Sequence, residues 1–596
     1  METQGKKSPL RTPTPEQSEL SFCKPSVREV KTWIQNLPKA NIGETARLLY
    51  QALNELNNFK TNAENRIQLL ELLRPEVFFV NAQLERHFLN NAVMLDDRAK
   101  KVANLCQSLQ SHLSMGYKLV IADIFQQRSP ILALALQRTL HSLSASLVRA
   151  HQLYYPAPAN LWFELHQSYL LARTHNLHTI AVRDSLLNSV KEQSVEAAYS
   201  CALLLSCSRI NQMRQSDITV LSQVLPSWCH LAAIQNANLT SSLFVINLQS
   251  DSPPHYKALM NSIEGQTILG FDTHNLASAL IQHQQTKQAS SLQIPVNMPS
   301  SLIAQLCSAW GNIAKRDFQR TASQGSLELC LGMSAVHYYL SDQNPFEQTL
   351  RSQQPVTAKY TTDNSPPDVW ANTVDTNIMS SLDPLQSELI EYEPLEKKDD
   401  SYTENNSGAV ETDNPLYPIY TFDIINTSPG GYCLAISNNI PAPLQAGELI
   451  ALREDPSKSW ITAVIRWLRQ VNPNTTQIGV ELIAANAQPC GLQLLRSSGQ
   501  ASSFLRALLV PEISALSRPA RVIALRVPFQ EGHKVMINQS GKEMKATLST
   551  RSIHTGSISQ FEYRLSLATP AVDQHSTRTN NEAFSSEDFD SLWKSL

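Results

Sequence analysis

The residues of this chain best suited to hold a ligand lie in Ile425-Asn426-Thr427-Ser428-Pro429-Gly430-Gly431-Tyr432-Cys433-Leu434, where two apolar runs meet at a short polar turn. Asn426 and Ser428 offer hydrogen-bonding groups to nearby backbone or to a ligand, and the glycines admit positive φ and let a bulky ligand approach the main chain. This is the chemistry of binding rather than of bond breaking. The chain has no H-E-x-x-H, no G-x-S-x-G and no Walker-type phosphate loop, so it reads as a protein that is not an enzyme. His175 and His178, the nearest histidine pair, have no cysteine or carboxylate at ligand spacing and read as a solvated helix end, not a metal site. His337, in Ala335-Val336-His337-Tyr338-Tyr339, reads as a packed residue with one satisfied nitrogen. No cofactor is expected.

The polar turn needs strands to hold it. Gly447 to Arg453, Trp460 to Arg469 and Gln477 to Ile483 read as strands with turn residues between them, a spacing that suggests a small closed antiparallel barrel. Here the chain resembles the PilZ family, bacterial receptors for cyclic di-GMP. Asn426-x-Ser428-x-x-Gly431 matches the family's D/N-x-S-x-x-G motif, and Ile478-Gly479-Val480-Glu481-Leu482 is similar to its late strand. The family's second motif, R-x-x-x-R, is missing from the sixty residues before Asn426; Arg316-Asp317-Phe318-Gln319-Arg320 occurs much earlier, followed by the strand-like Ser326 to Gly332. The resemblance therefore implies a split barrel, with its arginine loop and first strand near 316–332, then an insertion, then the remaining strands from about 417. It also implies that Arg316 and Arg320 contact guanine and phosphate while Asn426, Ser428 and Gly431 hold the rest of cyclic di-GMP. A planar guanidinium suits that role, since it grips a guanine edge or a phosphate in a way lysine does not. None of the acidic signatures of enzymes that make or degrade cyclic di-GMP is present. The competing reading is a nucleotide-independent scaffold, with a degenerate barrel and with Arg316 and Arg320 as surface charges.

Composition sets the wider frame. A chain of 596 residues, 42% hydrophobic, suggests several folded units. Charged residues are only 17% and the net charge is −3, which gives no general footprint for DNA or RNA. The nine cysteines are scattered without a C-x-x-C pair, the usage of reduced, buried thiols. No apolar core of a signal peptide follows Lys6 and Lys7, and the apolar segment Ile131 to Val148 is interrupted by Gln137, Arg138 and His141. A membrane span is thus not expected, and the location is read as cytoplasmic.

Along the chain, the expected fold class is multidomain α + β. An N-terminal all-α domain, a helical bundle or solenoid, precedes small antiparallel β-barrel domains. Residues 1–24 are Pro- and Ser-rich and read as disordered. The helical domain spans 25–299; within it Trp162, Leu165, Tyr169 and Ala172 weakly resemble the first helix of a tetratricopeptide repeat, with no 34-residue recurrence. Leu243 to Leu248 reads as a strand that could pair with Gln266 to Phe271. The arginine loop and first barrel strand fall in 300–345. From Phe346 to Asn414 there are 14 Asp/Glu against 4 Lys/Arg, which reads as an acidic disordered insertion at 346–414. The rest of the barrel occupies 415–495, a second β module 496–570, and a flexible tail 571–596. The tail ends in Phe584, Phe589, Leu592 and Trp593 among acidic residues, so it and the helical domain are the expected contacts for protein partners, which the sequence does not identify.

Overall fold

The computed structural model describes residues 8–89, 95–260, 267–286, 292–311, 320–351, 416–437, 444–472, 475–495, 502–512 and 519–566. Its first half is helical, with α1 (Val27–Gln35), α2 (Ile42–Asn58), α3 (Ala63–Glu85), α4 (Asp97–Ile124), α5 (Pro130–Gln152), α6 (Leu161–Thr174), α7 (Val195–Cys207) and α8 (Gln215–Trp228). Local chemistry fixes most starts: Ser26, Asn41, Asn62, Asp96, Ser129 and Ser194 each accept a backbone N–H of the first turn through the side chain. The residues of the tetratricopeptide-like pattern all lie on the buried side of α6, and the Tyr169 ring stacks on Tyr199 of α7 with centroids 4.4 Å apart. Between these helices runs a hairpin of β1 (Ala181–Arg183) and β2 (Glu192–Ser194).

Helix α5 is long and apolar enough to cross a membrane by length and composition. It is packed inside the helical domain instead, and its Arg138 is buried against Glu71 and Asp184. Asp184 is fully buried and also takes both terminal nitrogens of Arg74 at 2.8 and 2.7 Å. Burial alone would raise its carboxyl, but the hydrogen bonds and charge of Arg74, with His141 and Arg138 behind, hold it well below the usual carboxylate range.

After α8 comes a small sheet in the order β3-β6-β4-β5, from β3 (Ala233–Asn236), β4 (Phe244–Asn247), β5 (His255–Tyr256) and β6 (Ile268–Asp272). The expected pairing of the Leu243 and Gln266 segments is present as β4 against β6, with Phe244 opposite Phe271. Helices α9 (His274–Thr286) and α10 (Ser300–Gly311) follow, and Trp310 donates its indole N–H to Leu204 O at 3.1 Å. One apolar core runs from Leu10 to Trp310.

The second half opens with β7 (Thr321–Ala322), β8 (Ser326–Leu331), α11 (Gly332–Leu340) and α12 (Phe346–Thr349), and resumes at β9 (Tyr420–Ser428), β10 (Gly431–Ser437), β11 (Leu449–Arg453), β12 (Ile461–Asn472) and β13 (Thr475–Ala484). Strand β8 pairs with β9 on one side and β11 on the other. The ring then runs β11-β12-β13-β10-β9, every pair antiparallel, so the first strand comes from far upstream, as the sequence predicts. Alternate residues fill the interior: Leu327, Leu329, Phe422, Leu434, Ile450, Ile465 and Ile478. A second closed barrel has the order β14-β15-β16-β19-β18-β17, built from β14 (Gln488–Leu494), β15 (Leu505–Val510), β16 (Arg521–Leu525), β17 (Lys534–Gln539), β18 (Lys542–His554) and β19 (Ile558–Leu565).

The barrels and the helical domain meet at few but well-defined points. Helix α11 lies between the barrels, where Met333, Val336 and Tyr339 share a core with Leu449, Trp460, Leu508, Ile523 and Ile558. Arg214, at the start of α8, donates to Ala446 O at 3.1 Å, to Glu448 at 3.5 Å and to the Ser557 hydroxyl. Ser557 donates in turn to Glu448, and Thr555 donates to Gly447 O at 2.7 Å. Tyr154 sits in the first barrel's core, its carbonyl accepts Gln470 N–H, and its hydroxyl donates to Met213 O.

Three expectations are corrected. Residues 8–24 do not stand apart as disordered chain: Leu10 enters the apolar core, Ser21 donates to the Glu55 carboxylate, and Glu16 and Gln17 N–H groups donate to the open Asn58 carbonyl at the end of α2. The first residues of the acidic insertion are ordered too. Phe346 lies against His337 and under the Arg506 guanidinium, and Thr349 O accepts Ser540 N–H, so 346–351 dock on the second barrel. That barrel also begins at Gln488, ahead of the expected boundary at 496, and the apparently mixed stretch from Leu492 to Leu509 holds the end of β14 and most of β15. The remainder of the insertion, 352–414, and the tail 571–596 lie outside the described residues.

Replacing Asp184 by Ala leaves the buried Arg74 guanidinium without its carboxylate and takes from Arg138 one of its two, Glu71 remaining, and thermal or urea unfolding is expected to show a loss of about 3–5 kcal/mol. Because folding lowers the Asp184 pKa, its contribution is complete above the unfolded value of about 4 and is lost as pH falls through the folded one. The difference between wild type and variant should therefore shrink in acid.

Candidate functional site

The polar turn is the β9–β10 hairpin. Ser428 pairs with Gly431 across it, and the Ser428 hydroxyl donates to Gly431 O at 3.2 Å, which leaves the hydroxyl oxygen as an acceptor. Leu482 N–H donates to Gly430 O at 3.0 Å and ties the turn to β13. Gly431 has no room for a side chain: a Cβ there would sit 1.9 Å from Val480 O.

Backbone register brings the arginine segment to this turn. Strand β7 pairs with β9, Thr321 opposite Thr427 and Ala322 opposite Asn426, and Arg320 directly precedes this strand at the Ser428 end of the pair. Arg320 is exposed there. It is close enough to Cys433 to oppose the rise that burial imposes on that thiol. Arg320, Asn426, Ser428 and Gly431 thus line one cleft of about 810 Å³, within the usual range for a small-molecule site. Arg316 lies outside the described residues.

Other lining residues escaped the sequence reading. Tyr432 follows the turn, and Arg466 and Trp467 come from β12. Arg466 donates to Glu481 at 2.5 Å. Trp467 pairs with Gly479 across β12 and β13, and its indole lies so close over that glycine that a Cβ would meet it at 1.9 Å. A glycine inside a strand is the signal that could have pointed to this close approach. Gln212 reaches the cleft from the helical domain, and Arg521, Ser552, Ile553 and Gln560 come from the second barrel. No local pattern links these to the hairpin.

The arrangement offers cations, hydrogen-bonding groups and an aromatic surface, which suits a phosphate-bearing nucleotide. A smaller cavity of about 310 Å³ lies in the helical domain near His141, whose imidazole is pushed down to about 3 by burial and then by Arg74. His337 is buried and its Nε2 has no partner, while the ring donates a hydrogen bond to the Cys490 backbone. His175 caps the end of α6, and His178 beyond it lies 3.9 Å from Glu196 and edge-on to Tyr169. Among the described residues no group of three or more His, Cys, Asp or Glu side chains gathers as a metal site.

Comparison with known proteins covers nearly the whole chain. Residues 28–238 match the family model described as the N-terminal domain of the cyclic-di-GMP receptor FimW, 243–489 its middle PilZ domain, and 490–566 the FimW C-terminal β-barrel domain. The chain is 46% identical over 611 aligned residues to the cyclic-di-GMP receptor FimW of Pseudomonas aeruginosa, with all of both chains covered. No solved structure matches.

Gly431→Ala forces its new methyl group onto the Val480 carbonyl. Thermal unfolding is expected to show a loss of about 1–3 kcal/mol as the hairpin is pushed off β13, and the cleft should lose its shape with it.

Proposed function

The chain belongs to the FimW family, built of an N-terminal domain, a middle PilZ domain and a C-terminal β-barrel, and from that premise we propose that it is a receptor for cyclic di-GMP. The observation that carries this reading is the β7–β9 register, which sets Arg320 beside the Asn426–Gly431 hairpin at one cleft. Arg320, with Arg316 before it, takes guanine and phosphate. Asn426 and Ser428 hold the other part of the ligand, and Gly431 keeps the turn flat against β13 so that the ligand meets backbone. The protein's work is recognition, with no bond made or broken.

The functional units are the helical region bounded at 25–299, the split PilZ-like barrel of 300–345 and 415–495, and the C-terminal barrel. Ligand binding changes the balance between two arrangements of these bodies, because Gln212 of the helical region borders the same cleft. The molecule acts in the cytoplasm and passes the signal to a protein partner through the helical domain and the aromatic, acidic tail near Trp593.

Calorimetric titration with cyclic di-GMP, with cyclic di-AMP as control, tests the reading. Binding is expected, and Arg320→Ala or Arg316→Ala should each weaken it about tenfold or more, since a charge-assisted hydrogen bond contributes about 1.5–3 kcal/mol. Equal affinity in wild type and the double variant would remove the arginines from the site, and no binding at all would favour the scaffold reading.

A further inference from the structure

The cleft has two walls, and only one belongs to the PilZ-like barrel. The other is made by the C-terminal barrel: Arg521 on β16, Ser552 and Ile553 on β18, and Gln560 on β19. Register holds these together. Gln560 stands opposite Ile523 on one side and Ile553 on the other, one strand pair away from Arg521.

Two polar groups on this wall have capacity left for a ligand. Arg521 Nε is buried with no hydrogen-bond partner. A guanidinium only donates, and a buried donor left unmade is costly, so this group is open to an acceptor that a ligand brings. Gln560 is 1% exposed, and its carbonyl oxygen already accepts the Ser552 hydroxyl at 3.0 Å, which leaves its amide NH₂ to offer. On the facing wall Arg466 is engaged by Glu481, so the positive charge there rests mainly with Arg320. A cyclic dinucleotide carries two phosphodiesters, and two separated anions call for donors on both sides of the ligand.

The second wall is also joined to the first in this arrangement. Arg214 joins Ala446 and Glu448 of one barrel to Ser557 of the other, and the apolar core around α11 spans both barrels. The cleft is therefore a seam between two docked bodies, not a groove on one.

We propose that the C-terminal barrel completes the nucleotide site, with Arg521 gripping a phosphodiester of the bound cyclic dinucleotide and Gln560 donating beside it; this rests on reading the cleft as the cyclic di-GMP site. The ligand then bridges the barrels, and its affinity depends on their docking. Titration of the full-length protein with cyclic di-GMP at low and at high salt decides it. Arg521→Ala is expected to bind about tenfold or more weakly, with a shallower fall in affinity as salt rises, because one ion contact is gone. Gln560→Ala should lose several-fold, as about one neutral hydrogen bond would. Arg521→Met keeps the packed stem without the charge and settles the matter should the alanine variant not fold. Wild-type affinity and salt dependence in Arg521→Met, with Arg320→Ala weakened, would overturn the second wall and leave the first intact. No binding by the wild-type protein would overturn both.

Discussion

The first barrel stands or falls on strand β9 having both edges paired. One edge meets β10; the other meets β8 from Ser326 to Leu329 and then β7 at Thr321 and Ala322. Buried backbone donors and acceptors must find partners, and a strand from distant sequence supplies them here. One constraint thus does two things. It closes the ring around Leu327, Leu329 and Phe422, and it carries Arg320 to the hairpin of Asn426 and Ser428.

The larger assembly rests on polar contacts set in apolar seams. Arg214 reaches from the helical domain to both barrels at once, while Tyr154 places its ring in the first barrel and its hydroxyl back on Met213. Inside the helical domain Arg74 and Arg138, both buried, are balanced by the buried Asp184 and the half-buried Glu71. Such sets are costly to desolvate and costlier still to break. They favour one arrangement of helices over alternatives that would leave a charge alone.

Much of this was legible from residue order because the signals are local. Polar hairpin, alternating strands and helical periodicity each rest on neighbours in sequence, and even the distant strand β8 was found by asking which strand the barrel lacked. Arg316 lies outside the described residues. Trp467 and Gly479 meet only through the β12–β13 register, and Gln212, Arg521 and Gln560 join the cleft only because separate bodies dock; no spacing along the chain encodes that. The docked segments 8–24 and 346–351 were misread for a related reason. Composition reports what a segment could bury alone, whereas Leu10 is buried and Phe346 half-buried against surfaces made elsewhere.

The split of the first barrel also bears on how the chain is made. At about 5–20 residues per second of synthesis, β8 leaves the ribosome several seconds before β9, and β11 follows later still. Until then Leu327, Leu329 and Leu331 have no interior to enter. A strand with both edges open is a template for wrong pairing. Helix α11, directly after β8, offers early cover to one of its faces through Cys330 and Met333, but the other face stays exposed until the far side of the insertion arrives. Crowding of nascent chains, rather than instability of the finished protein, is then the weak point in its production.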